Sequence, residues 1–146
     1  MRGFIFSKIK ETLESIEDIA HVELFNSQLE YAEEEQAFAT PAVFIEFQPI
    51  QWRHQLHGVR EADITVVLHV VTDSRVGHWS DTVEVFSLLD SISSALHGIG
   101  GTAENGSVMN SLTLTASTTD HNFDELQDNT ETYTCHVTDR SAYHYY

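Results

Sequence analysis

The run over residues 62–72 constrains this chain more than any other stretch. Ile64, Val66, Leu68 and Val70 fall on one face of an extended segment, and Thr65, Val67, His69 and Val71 on the other. A period of two with many β-branched residues specifies a strand. Val67 and Val71 make the second face partly apolar as well, so the strand is expected to be central and covered on both sides. Helices would cover one face and another subunit the other.

The segment that follows supplies such a helix. After a polar loop over residues 73–80, Asp81 and Glu84 form a capping-box-like start, in which side-chain oxygens satisfy the first free backbone amides. Val85, Phe86, Leu89, Ile92 and Leu96 recur at three- and four-residue intervals as one apolar stripe, and Gly98 is placed to stop the helix. A first amphipathic helix is expected from Phe4, Ile5, Ile9, Leu13, Ile16 and Ala20, packed on the sheet beside the second.

Residues 21–25 read as a short strand and residues 42–48 as a strong one, with Val43, Ile45 and Phe47 alternating with Phe44 and Glu46. The polar link between them, residues 26–40, carries Glu33, Glu34 and Glu35 in a row, a pattern of solvated loops. Pro49 ends the second strand and opens an arm over about residues 49–61. Trp52, Leu56 and Val59 stand there among Arg53, His54, His57 and Arg60. An aromatic beside arginines suits an interface, and equally a hairpin whose Trp52 folds back on its own domain. Asn105-Gly106 signals a tight turn, after which residues 108–118 and 131–138 read as an antiparallel hairpin. The ending Tyr143-His144-Tyr145-Tyr146 is left open between disorder and docking on a neighbour.

At 146 residues the chain is expected to form a single domain with one core. Seven basic against 23 acidic residues give a net charge of −16, which argues against a surface that grips phosphate backbones. A wall past which DNA slides remains compatible with that charge. The lone Cys135 precludes an internal disulfide and reads as a buried hydrophobe. The first residues lack the pattern of a signal peptide, and no apolar run reaches bilayer length, so a soluble chain made in the cytoplasm is expected.

Nine histidines raise the question of a metal, yet neither HExxH nor a paired-cysteine framework is present. His54 and His57 could chelate together only if the arm were turned or helical. Asp120, Asn122, Asp124, Asp128 and Glu131 fall at positions one, three, five, nine and twelve of an EF-hand-like loop. Glu125 stands where that loop needs glycine, and the flanks read as strands, so the alternative is an acidic hairpin tip. No nucleophile elbow is present, and the glycines at 98, 100 and 101 follow a helix rather than a strand, which makes them a helix stop.

Several stretches resemble the tail-terminator, or tail-completion, proteins of tailed bacteriophages and prophages. Pro49-Ile50-Gln51-Trp52, leading through Gly58-Val59 into residues 62–73, is similar to that family's arm and central strand. Residues 86–98 are similar to its second helix, and Glu131-Thr132-Tyr133-Thr134-Cys135 to its last strand. The resemblance implies an α+β subunit: a mixed, mainly antiparallel sheet with two helices packed on one face and an extended β-hairpin arm. It further implies a virion structural protein without catalytic residues or cofactor, assembled in the bacterial host cytoplasm. Six copies would close into a ring that caps the tail tube and forms the head-tail joining surface, with the tail-tube protein and a head-tail connector as partners, DNA only in passage, and no membrane. Trp52, Arg53, Leu56 and Arg60 would then lie at a subunit or tube contact. The competing class is a small calcium- or zinc-binding domain, and a third reading is a cytoplasmic adaptor of the same fold.

Overall fold

The computed structural model describes residues 1–26, 38–121 and 125–143. In chain order the elements are α1 (Arg2–Glu14), β1 (His21–Leu24), β2 (Ala42–Phe47), β3 (Arg53–His54), β4 (Arg60–Asp73), α2 (Thr82–Leu96), β5 (Gly101–Thr102), β6 (Val108–Met109), β7 (Thr113–Thr118) and β8 (Leu126–Asp139). The strands form one eight-stranded sheet in the order β1-β2-β4-β8-β6-β5, with β3 added to β4 and β7 to β8. Among the described residues only β1 and β2 run parallel, and every other pair is antiparallel. The fold is α+β, as expected.

The axis of the sheet is the pairing of β4 with β8, which runs from Arg60 opposite Asp139 to Asp73 opposite Leu126. Strand alternation then divides the molecule. Ala62, Ile64, Val66, Leu68 and Val70 share a face with Val137, Cys135 and Tyr133, and all are buried. Ile5, Ile9 and Leu13 of α1 and Val85, Leu88, Ile92 and Leu96 of α2 complete that core. Apolar surface removed from water on this scale is the main force holding helices to sheet.

The first helix is shorter than its apolar pattern suggested. It stops at Glu14, where the Ser15 hydroxyl donates to the Thr12 carbonyl, and Ile16 packs on the core from the turn that follows. The buried stripe of α2 is also rotated: Leu88 is inside, whereas Phe86 is 42% exposed. Both residues fit a helical period, and only the direction of the sheet chooses between them. Its start follows expectation, with the Asp81 carboxylate accepting from the Val83 amide at 2.9 Å, and Gly98 takes the left-handed conformation just past its end.

The hairpin expected between residues 108–118 and 131–138 is present, but its first arm is interrupted and its second already begins at Leu126. Both β6 and β7 run along β8, with a slip in register at the bulge between Leu114 and Ala116. Between the two strands, the Leu112 amide turns away to the Ile99 carbonyl and its side chain enters the core. The second face of β4 is filled in part by the chain itself: Val71 packs with Phe38, Ala42 and Phe44 in a small cluster of its own. Val67 remains partly exposed. Glu33, Glu34 and Glu35 lie outside the described residues.

Candidate functional site

The arm is a short hairpin that extends the sheet beyond β2. Arg53 and His54 pair with Glu61 and Arg60, one residue out of register with the β2–β4 ladder, so the stretch from Pro49 to Trp52 acts as a break in one long ribbon. The Gln48 amide, which donates to the Thr65 carbonyl at 3.0 Å, makes the last bond of that ladder before Pro49 begins the break. At the tip, a single 3-10 turn over Leu56–Gly58 places His57 at φ 62° and Gly58 at φ 80°. The Gln55 amide donates to the Val59 carbonyl at 2.7 Å and closes the tip.

The four arm residues singled out in the sequence separate into base and tip. Trp52 is partly buried against the main core, and the Arg60 guanidinium lies 4.7 Å over its ring. Arg60 Nε donates to Asp139 Oδ2 at 2.9 Å. Asp139 is 2% exposed. Burial alone would raise its carboxyl, but hydrogen bonds from Ser141 and Arg60 outweigh that and hold it at about 2. Arg53 reaches outward to Glu61 at 3.4 Å and Asp63 at 3.9 Å, both solvent-facing pairs. Leu56 stands at the apex, 81% exposed. Trp52 and Arg60 therefore stiffen the arm, while Leu56 and Arg53 are what it presents.

The second candidate surface is the face of the sheet that the helices do not cover. The register puts Glu61, Asp63, Thr65, Val67 and His69 of β4 beside Thr138, His136, Thr134, Thr132 and Thr130 of β8. Beyond β8, Thr113 and Thr118 of β7 continue the same rows. His136 lies between Asp63, 2.9 Å from Nδ1, and Glu61, 3.4 Å from Nε2. At the other end of β4, His69 lies between Glu46, 2.7 Å from Nε2, and Asp128, 3.1 Å from Nδ1. The Phe25 ring stacks on His69 at 4.2 Å. Nothing in the sequence linked these residues, because which carboxylate meets which ring is fixed by strand register. The only local signal was a histidine within a run of β-branched residues.

Of the acidic run after β7, Asp120 lies just past the end of that strand, and Asp128 and Glu131 lie on β8. Asn122 and Asp124 lie outside the described residues. Asp120 Oδ2 accepts from the Asp128 amide at 2.9 Å. Asp128 and Glu131, three apart on β8, point to opposite faces, so their carboxylates do not converge on one point. Glu131 is on the covered side, where burial raises its carboxyl and the Asp90 charge adds to that, although the Ser117 hydroxyl donates to it. His54 and His57 fall on the hairpin arm, His57 at its tip beside the Tyr143 ring. Among the described residues no group of three or more histidine, cysteine or acidic side chains is arranged to hold a metal ion. No described helix is long and apolar enough to cross a membrane.

A cleft of about 450 Å³ opens between the start of α1 and the ends of β1 and β2, lined by Arg2, Phe6, Leu24, Phe25, Glu46 and Phe47 among others. It lies well away from the arm tip. Arg60 stands beside His54 at the arm and Leu68 beside Ile45 near the cleft, about 26 Å apart at the usual rise of a strand.

No family model matches the chain, and no curated protein does either. Among solved structures, the chain is similar to one from a particle described as "Virion of native gene transfer agent (GTA) particle". The two share 10% sequence identity and superpose with a TM-score of 0.62 over 92% of this chain and 94% of the other, so they share a fold.

Proposed function

We propose that this chain is a structural, non-enzymatic subunit of a phage-like virion, acting as a tail terminator. Copies assemble into a ring, six in the closed state, that caps the tail tube and offers the surface on which the head is joined. The observation that carries this reading is the near end-to-end fold similarity to a chain of a gene transfer agent virion. The arm supports it, since a stiff hairpin with an apolar residue at its apex suits contact between unlike patches on neighbouring subunits, the kind of contact a ring requires. Arg53 and Leu56 make that contact, and Trp52 with Arg60 holds them in position. The net charge of −16 suits a channel through which DNA passes without adhering.

Light scattering at several concentrations, followed by negative-stain imaging of the largest species, tests the assembly. A hexamer-sized ring with a central hole is the expected result, and a compact dimer at every concentration would overturn it. Leu56→Ser then tests the arm: it should lower the assembled fraction while leaving the unfolding midpoint in place, because the side chain packs little against its own domain. In the cell that makes the particles, deletion of the gene should leave heads and tails unjoined.

A further inference from the structure

Glu46, His69 and Asp128 stand on three neighbouring strands of the uncovered face. Both ring nitrogens of His69 meet carboxylate oxygens, Nε2 at Glu46 Oε1 and Nδ1 at Asp128 Oδ2. A neutral imidazole has one N–H and one lone pair, so it would leave one of those oxygens facing a lone pair; only the imidazolium donates to both. The Glu46 carboxylate is itself held and the Asp128 backbone is anchored, while the second carboxylate oxygen of Asp128, Oδ1, is buried without a hydrogen-bond partner among the described residues. Gln48 Nε2 donates to Glu46 Oε2 at 2.6 Å, and the Asp128 amide is tied to Asp120.

The described charged groups that face the ring are Glu46 from β2, Asp128 from β8 and, one contact further, Asp120 from the segment before β8. All are acidic. Phe25 covers the ring from the end of β1. Burial by itself lowers the His69 pKa, but the hydrogen bonds and charges of Asp128 and Glu46 more than reverse that and raise it above the ordinary value of 6.5. Two of the residues that contact His69, Phe25 and Glu46, also line the cleft beside α1.

We propose that Glu46, His69 and Asp128 form a proton-operated clasp that ties β2, β4 and β8 together and fixes Phe25 and Glu46 as one wall of the adjoining cleft. With the ring charged, both ties are made. When the proton leaves, one tie is lost, a lone pair faces a carboxylate, and that wall loosens. The clasp does not depend on the ring assembly proposed above, since every group in it belongs to one subunit.

Histidine NMR titration of the full chain tests this, together with urea unfolding between pH 5.5 and 8.5 of the wild type and His69→Gln. The His69 midpoint is expected above 6.5, with the Phe25 ring signals moving at the same midpoint. A raised folded-state pKa stabilises fully below the unfolded value and is lost as pH rises through the folded one. The stability gap between wild type and His69→Gln should therefore be widest below pH 6.5 and close as pH rises through the midpoint. Asp128→Asn should move that midpoint down, and His136→Gln should leave the transition in place. A wild-type midpoint at or below 6.5, a gap independent of pH, or Phe25 signals that ignore the midpoint would overturn the proposal. If His69→Gln does not fold, an unchanged midpoint in Asp128→Asn overturns it instead.

Discussion

Adjacent residues of β4 live in different worlds. Leu68 looks into the helix-covered side and is fully buried, while Val67, its neighbour, looks out across Thr132 and stays partly exposed. On the covered side, α1 and α2 seal an apolar layer in which burial sets the chemistry. There the buried Cys135 thiol is pushed up to about 11, and the Tyr133 hydroxyl is also raised. On the uncovered side the same two strands carry threonines and histidines placed between carboxylates. A single ladder thus supports two different surfaces: one binds the chain to itself, and the other carries rows of polar side chains that the helices leave uncovered.

That contrast can be broken most severely from the covered side. Leu68→Ala should cost about 2–5 kcal/mol, as large-to-small changes in packed cores do, read as a drop in the urea midpoint. Asp139→Asn tests the buried anchor of the arm. It should cost about 1–3 kcal/mol at neutral pH, by weakening the bonds from Arg60 and Ser141. Asp139 has a depressed folded-state pKa, so its contribution is present above the ordinary aspartate value and fades as pH falls toward 2. Acid unfolding of Asp139→Asn should accordingly be flatter over that interval than in the wild type.

Asp81→Ala removes the cap of the helix that roofs the core and should cost about 1 kcal/mol, measurable by thermal melting. Thr132→Val, on the open side, should change stability by less than about 0.5 kcal/mol. An effect there as large as that of Leu68→Ala would show the open face to be covered in solution. Thiol labelling sharpens the same line: Cys135 should react with a maleimide only as the chain unfolds, because burial denies it both access and a thiolate.

The sequence alone determined what local periodicity can determine. Alternation at Ile64, Val66, Leu68 and Val70 identified the central strand and its buried face, and Asp81 and Gly98 marked the limits of α2. These features are encoded within a few residues of one another. Tertiary structure decided the rest, because it brings together residues that local rules cannot relate. It turned α2 so that Leu88 rather than Phe86 is inside, covered Val71 with Phe38 and Phe44, and set Trp52 beneath Arg60 at the base of the arm. It also separated Asp128 from Glu131, neighbours in an apparent loop pattern, by placing them on a strand whose alternation sends them apart. The link from Glu46 through His69 to Asp128 spans most of the chain and exists only through the register of β2 and β8 on β4. Strand register is set by the packing of a whole sheet face, so no single segment of the sequence contains it.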